Sequence, residues 1–507
     1  MPSTNTAASA AQTLAQRTFS LADQETFANM CGDRNPLHVD EVAARRLITG
    51  QPVVHGVHLL LQALEHWASG KSCGINSIEC SFDQPVSIND LVTFEQRELA
   101  DGKWHLTASV SASVCASITL FSSVQAPAKS RPASAPVESK LSLRKIDGLL
   151  VPLDEAPGSQ LGVTMLLPLT GSTADANFPQ AAKVISVAAV KALAGLSYFV
   201  GMVCPGMHSI FSALRLSIAN QAGGTDALEF GLQRHDPRFN LFIVNFSGAL
   251  EGELRAFRRP PPQTQSTACE LRQIVQAEEF AGTNALVVGG SRGLGELTAK
   301  LLGAGGANVL ITYAKGKDDA LRVAADINSA GPGTCTTLGM DLQNGNWADL
   351  KLDTSFDTVF YFATPRIFRK KTTVFDTNQF ADFCHFYLEQ FQNLCLLLES
   401  RALGRDVKVY LPSTVFIETR PKGMTEYAAA KAASEVLADD LNRTLRHVKI
   451  IHSRLPRMAT DQTSSVMELQ VSSNVEVMLP VVRMMSQRPD QPGGVRDPVP
   501  PARCTGP

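Results

Sequence analysis

Two groups of residues in this chain have the types and spacing that chemistry requires. Near the N-terminus, Cys31-Gly32-Asp33-Arg34-Asn35-Pro36-Leu37-His38 carries an acid and an imidazole on either side of a Pro-fixed turn. Both side chains can converge on one water molecule. A carboxylate and a neutral imidazole can take a proton from that water or, in reverse, protonate a departing hydroxyl. That suits adding or removing water across the α,β carbons of an acyl thioester. The thioester oxygen must be stabilised as an enolate forms. The N-terminus of the helix expected from Gly56 offers free backbone N–H groups and a favourable dipole for it.

Far downstream, the apolar run Ala285–Val288 leads straight into Gly289-Gly290-Ser291-Arg292-Gly293-Leu294-Gly295. Glycines there allow a tight turn and close approach of a pyrophosphate to a helix N-terminus. Tyr427 and Lys431 share one face of a predicted helix. The ammonium is expected to lower the phenol's pKa, so that Tyr427 can exchange the proton accompanying hydride transfer. Ser413, at the end of the strand Val407–Leu411, can hold the substrate oxygen. The second strand of this region ends Ile311-Thr312-Tyr313-Ala314-Lys315, with no acid to accept from a ribose 2′-hydroxyl. Arg292 and Lys315 can instead pair with a 2′-phosphate, which makes NADP(H) the expected cofactor. A 3-hydroxyacyl thioester is the intermediate that both chemistries would share.

The elements that position these residues follow from length and pattern. A chain of 507 residues is too long for one ordinary domain, and roughly two to four are expected. Apolar residues at 44% and charged ones at 19% describe well-filled cores, and a net charge of -2 excludes the basic field that nucleic-acid binding needs. No stretch approaches the roughly 18 apolar residues of a membrane span, and the first residues lack the basic start and apolar core of a secretory leader. Ten cysteines without a C-x-x-C pair describe reduced, buried thiols in a cytoplasmic setting, neither a metal site nor a disulfide framework.

Small, polar, Pro-containing stretches divide the chain. Residues 1–16 are expected to be flexible, 125–140 and 259–269 to be linkers, and 487–507 a disordered tail. In the first block, 17–124, a helix from Ala22 to Met30 precedes the turn, and Gly56 to Ala68 has apolar residues at helical spacing. The runs Ile78–Phe82, Leu91–Phe94 and His105–Phe121 alternate as strands. One long helix wrapped by an antiparallel sheet is the hot-dog arrangement. The second block, 141–258, echoes the first: Cys204–Phe211 is expected to open a helical run, with strands at Leu228–Leu232 and Phe239–Phe246. It contains no acid–imidazole pair, so it is expected to be a second, non-catalytic hot-dog lobe. The third block, 270–486, alternates strands (Ala285–Val288, Val309–Ile311, Thr358–Phe362, Val407–Leu411, Val448–Ser453) with helices, as a doubly wound parallel Rossmann sheet does.

The first block resembles the MaoC-like (R)-specific enoyl-thioester hydratase/dehydratase family. The matching residues are Gly32-Asp33, Asn35-Pro36-Leu37-His38, His55-Gly56, Phe82-Asp83-Gln84-Pro85-Val86 and Asn89-Asp90. The resemblance implies Asp33 and His38 as the catalytic pair, and (R) stereochemistry. The third block resembles the short-chain dehydrogenase/reductase family through the glycine loop, Ser413, Tyr427 and Lys431. That resemblance implies an adenine contact at Asp341 and Leu342, a cofactor contact at Ala363, and Lys431 on the nicotinamide ribose. Three features depart from the family pattern. Its N-N-A-G is replaced by Phe362-Ala363-Thr364-Pro365; Ser413 stands one residue further from the tyrosine than usual, leaving Thr414 a competitor; and the helix asparagine is matched by Asn378 locally but by His385 on spacing.

The expectation is a multifunctional enzyme of acyl-thioester metabolism. The C-terminal domain would reduce a 3-oxoacyl thioester with NADPH, and the N-terminal domain would dehydrate the (R)-3-hydroxyacyl product, in fatty-acid or polyketide-like biosynthesis. The competing readings are the reverse pair (hydration, then oxidation) and an active dehydratase fused to a catalytically dead reductase-like binding module. Substrates would be thioesters of coenzyme A or an acyl carrier protein, and assembly as a homo-oligomer is compatible with the composition. Arg366, Arg369, Lys370 and Lys371 follow the fourth strand, where open parallel sheets bind ligands, and could meet the thioester arm.

Overall fold

The computed structural model describes residues 10–47, 49–111, 113–123, 143–169, 174–218, 227–345, 347, 356–367, 375–463 and 472–487. The expected linker at 125–140, the tail beyond residue 487 and Arg369, Lys370 and Lys371 lie outside them.

Residues 10–258 build one eleven-stranded sheet in two halves. The first half holds β1 (Gln12–Thr18), β2 (Gly74–Phe82), β3 (Leu91–Ala100), β4 (Lys103–Val110) and β5 (Ser113–Ser123). The second holds β6 (Leu143–Lys145), β7 (Thr164–Pro168), β8 (Ser209–Ile218), β9 (Ala227–Asp236), β10 (Leu241–Gly248) and β11 (Leu250–Arg258). The strand order is β1-β3-β4-β5-β2-β8-β11-β10-β9-β7-β6. The halves meet where β2 pairs antiparallel with β8, Ile78 opposite Leu216 and Cys80 opposite Leu214. Each half wraps a core helix. In the first it is Gly56–Ala68, burying Val57, Leu60, Leu61, Leu64 and Trp67. In the second it is Val187–Tyr198, prolonged by a wider turn through Phe199–Val203. The two helices touch, and the buried residues of both halves merge into one continuous core.

Three local expectations need correcting. Cys204–Phe211 does not open a helix: a single turn at Gly206–His208 leads into β8, where Leu214 and Leu216 face inward and Arg215 and Ser217 outward. That period of two belongs to a strand. The core helix lies earlier, in a run so uniformly apolar that periodicity could not mark it. His105–Phe121 is a hairpin and not one strand, turning at Ser111 in the left-handed region (φ 54°). The segment 1–16, expected to be flexible, enters β1 at Gln12, where it covers the outer edge of β3.

The third region builds a six-stranded, all-parallel sheet. Its strands are β12 (Asn284–Val288), β13 (Asn308–Tyr313), β14 (Thr334–Gly339), β15 (Thr358–Tyr361), β16 (Val407–Thr414) and β17 (Val448–Leu455). Their order is β14-β13-β12-β15-β16-β17. Ala285 to Val288 are all buried, as strands covered by helices on both faces must be. The order reverses between β12 and β15, and a crevice opens there at the strands' carboxyl ends.

No described helix is by itself long and apolar enough to cross a membrane. The bent pair Pro179–Ile185 and Val187–Val203 is apolar because Val190, Leu193, Leu196 and Phe199 fill the second half's core.

Because the core is shared, a fragment ending at residue 124 would expose the edge of β2 and the face of Gly56–Ala68 that the second half covers. Such a fragment is expected to aggregate or stay unfolded, whereas a fragment ending near residue 258 stays soluble; size-exclusion chromatography with circular dichroism compares the two.

Candidate active sites

Helix Leu21–Cys31 ends at Gly32 in the left-handed conformation (φ 80°), which turns the chain so that Asp33 points inward. Asn35 then caps the short helix Pro36–Val39, accepting from the Leu37 N–H at 3.1 Å. Its amide nitrogen crosses to the second half, donating to the carbonyl oxygens of Gly201 (2.8 Å) and Gly206 (3.1 Å). Asp33 is 2% exposed. Its Oδ2 accepts from the Ser197 hydroxyl at 2.8 Å and its Oδ1 from the Asn35 N–H at 3.2 Å. Gly201 presses so closely that a Cβ there would lie 2.1 Å from Oδ1. Burial pushes the Asp33 pKa up, while His38 and the two hydrogen bonds pull it back.

His38 donates from Nδ1 to the Val53 carbonyl at 2.7 Å. Burial lowers its pKa, against the pull of Asp33, so it is held neutral with the proton on Nδ1 and the Nε2 lone pair free. The His55 ring stacks on it with centroids 3.8 Å apart. His55 is fully buried, with Nε2 3.1 Å from the Asp33 carbonyl and Nδ1 2.9 Å from Gln24 Oε1. Burial keeps it neutral as well, so its one ring N–H serves one of these acceptors at a time. Donor atoms of Asp33, His38 and His55 lie within 4.8 Å of one another, the compactness a metal ion would ask for. His38 Nε2 is uncommitted and the Asp33 carboxylate, with one hydrogen bond on each oxygen, keeps acceptor capacity, while His55 is engaged by its partners, which fits a proton-transfer pair. Gly56 follows His55 and opens its helix without a side-chain cap, packed against the Phe82 ring. Its end of the helix can stabilise an oxyanion.

The second site is a cavity of about 340 Å³ at the crevice between β12 and β15. Gly289, Ser291, Arg292, Gly293, Leu294 and Gly295 line one end of it. The loop needs its glycines: Gly289 has φ 79°, and a Cβ at Gly295 would fall 2.2 Å from the Gly289 carbonyl oxygen. The following helix, Gly293–Ala304, begins without a side-chain cap and so presents free N–H groups. Asp341, Leu342 and Ala363 line the wall, and Thr414, Tyr427 and Lys431 the far end. These residues fit a dinucleotide laid across the crevice.

At the far end the structure separates Ser413 from Thr414. Both line the cavity, but the Ser413 hydroxyl is engaged, donating to Glu435, which Arg454 holds at 2.6 Å. Thr414 instead stands beside Tyr427 at the cavity's end, its hydroxyl opposing the rise of the phenol's pKa. Burial pushes the Tyr427 phenol up to about 12, with Thr414 opposing. Burial also brings the Lys431 ammonium down to about 7. The expected lowering of the phenol by Lys431 is not found: burial raises it, and Thr414 is what opposes. Lys431 donates to the Pro412 carbonyl at 2.7 Å and stands 3.8 Å above the Tyr387 ring.

Neither candidate for the helix asparagine reaches the cavity. Asn378 is exposed in the first turn of helix Thr377–Cys384, and His385 bonds to Glu389 and to the Leu342 carbonyl. The residue that does reach it is Tyr387, in the widened turn His385–Glu389, whose hydroxyl is 2.5 Å from Thr364 Oγ1. Lys315 points out of the cavity toward Glu41, 3.9 Å away. Arg366 turns to the first domain and donates to Ser87 Oγ at 3.2 Å. Ser197, Gly201, His55 and Tyr387 were not singled out as catalytic from the sequence; only His55, adjoining Gly56, carried a signal, a histidine in an otherwise apolar stretch.

Residues 3–116 match the family described as the MaoC like domain, and Asp33, His38 and Gly56 all fall within the match. Solved structures similar to the chain include a short-chain dehydrogenase from Burkholderia cenocepacia in complex with NADP (23% identity, 41% of this chain and 91% of that one, TM-score 0.35). A doubly substituted short-chain dehydrogenase/reductase from Serratia marcescens is similar at 19% identity, over 41% of this chain and 92% of that one, with a TM-score of 0.37. An oxidoreductase from E. coli is similar at 17% identity over 41% and 91%, TM-score 0.37. No curated protein matches the chain.

Two measurements follow from this geometry. Ser197→Ala removes a bond that lowers the Asp33 pKa, so the acid limb of the dehydration pH profile is expected to move to higher pH; Gly201→Ala, which drives a methyl into the carboxylate, is expected to cut turnover by about 100-fold or more. At the other site, Thr414→Val is expected to slow reduction by about 100-fold, while Ser413→Ala costs about 1 kcal/mol of stability, read from denaturant titration, and much less activity.

Proposed function

We propose that the chain is a bifunctional enzyme of acyl-thioester metabolism: the reductase domain converts a 3-oxoacyl to a 3-hydroxyacyl thioester with NADPH, and the dehydratase domain removes water to give the 2-enoyl thioester. The observation that carries this reading is the pairing of a proton-transfer dyad of fixed tautomer with a dinucleotide cavity ending in a tyrosine. The two chemistries share one intermediate.

In reduction, the glycine loop and Lys431 would hold NADPH, which when bound would supply the hydride for the carbonyl carbon. Tyr427, protonated at neutral pH, gives its proton to the carbonyl oxygen, which Thr414 orients. Lys431, tied to the Pro412 carbonyl, supports the ribose side of the cofactor. In dehydration, the dyad takes the proton from the α carbon and returns one to the leaving hydroxyl. His38 Nε2 and the Asp33 carboxylate are the two exchanging groups, and the Gly56 end of the helix holds the enolate oxygen.

Single-site variants test the division of labour. Asp33→Asn and His38→Ala are each expected to lower dehydration by about 100- to 10,000-fold while leaving NADPH oxidation within about twofold; Tyr427→Phe does the opposite and retains dinucleotide binding. If one of these well-folded variants lost both activities, the two sites would not be separate.

A further inference from the structure

Arg45 belongs to the dehydratase domain by sequence, yet it lines the dinucleotide cavity of the reductase domain. It follows the short helix Glu41–Ala44, one turn after the helix that carries His38. Its guanidinium covers Gly316 just beyond β13, so closely that a Cβ at Gly316 would fall 1.9 Å from Nη2. Arg292 of the glycine loop lies beside it, donating from Nη1 to the Arg45 carbonyl oxygen and standing 3.8 Å from Asp461.

The carboxylates at this place are already engaged. Asp319 pairs with Arg45 through Oδ2 and with Arg46 through Oδ1 at 3.2 Å, and Asp461 lies 3.5 Å from Arg46. Arg45, Arg46 and Arg292 thus face two carboxylates, and Arg322, paired with Glu296, also stands 3.8 Å from Asp319, which leaves positive charge over. Arg45 Nε is buried without a hydrogen-bond partner, a donor that an added acceptor would satisfy. In a sheet of this order the adenosine ribose of a dinucleotide lies at the end of the second strand, and its 2′ substituent meets whatever side chains stand there. Here that strand is β13, and its own Lys315 points away.

We infer that Arg45 and Arg292 together bind the 2′-phosphate of NADP(H), so that the dehydratase domain supplies a cofactor-specificity residue to the reductase. This rests on the reductase reading above. The dinucleotide is then held across the domain junction, with the glycine loop on its pyrophosphate and Arg45 on its 2′-phosphate. NAD(H), lacking that phosphate, makes no use of Arg45.

Isothermal titration of the full chain with NADPH, NADH, adenosine 2′,5′-bisphosphate and AMP tests the inference. Arg45→Ala should weaken NADPH and the bisphosphate by about 10- to 100-fold, the range of one charge-assisted contact, and leave NADH and AMP within about threefold. Arg46→Ala loosens the same domain contact without touching the cavity, and should leave the NADPH-to-NADH affinity ratio unchanged. Circular dichroism melts of each variant show that it is folded. An equal loss for NADH and NADPH in Arg45→Ala, no loss for either, or a changed ratio in Arg46→Ala would overturn the inference. Wild-type preference for NADH would overturn it and spare the reductase reading; wild-type binding of neither dinucleotide would overturn both.

Discussion

Strand β2 is bonded on both edges, to β5 of its own half and to β8 of the other, and the Asp33–His38 site depends on that closure. Pairing β2 with β8 brings the second core helix against the first and places its last turns over Asp33. The acid is then buried by residues more than 160 positions away: Ser197 donates to it and Gly201 leaves room for it. A carboxylate removed from water is costly unless its oxygens are satisfied, and these contacts satisfy both. The half that has no acid–imidazole pair is thus half of the acid's environment. Asn35, bridging to the Gly201 and Gly206 carbonyls, fixes the turn between the two catalytic side chains to the same surface.

The two sites are linked by a short stretch of chain. Between His38 and Val53, which hold the dyad's tautomer, lie Glu41, Arg45 and Arg46, and these meet Lys315, Asp319 and Asp461 of the parallel-sheet domain. Arg366 completes the contact from the other side, reaching Ser87, whose strand-like bridge to Val53 borders the dehydratase turn. Segment 259–269, expected to be a linker, is itself docked: the Gln263 N–H donates to Asp461 at 2.7 Å, and Ala268 begins a short helix. A charged, largely desolvated junction of this kind sets domain orientation more than it adds stability.

What was legible in the sequence had strong local causes. The helix Gly56–Ala68 showed its apolar spacing, the glycine loop followed an unbroken buried strand, and the Asp33–His38 turn was fixed by Asn35-Pro36. What was not legible depended on distant residues. Nothing in the sequence near Ser197 announces a carboxylate partner, and the helix that holds it is apolar on every side, so period gave no boundary. Ser413 and Thr414 are both hydroxyls at the end of one strand and both line the cavity; only the partner Glu435, which takes up the Ser413 hydroxyl, chooses between them. Lys315 has the right charge in the right segment and points the wrong way, while Arg45 reaches the same cavity from a different domain.

The central claim is that one chain carries a thioester through two successive steps. Wild-type protein supplied with NADPH and a short-chain 3-oxoacyl-CoA, quenched at intervals and analysed by mass spectrometry of the thioester, tests it directly. The account predicts a species that has gained two hydrogens, followed by one that has lost a water, with NADPH consumed in equal amount to the sum of the two. Accumulation of the enoyl product from 3-hydroxyacyl-CoA alone, with no NADPH oxidation on any 3-oxoacyl thioester, would contradict it.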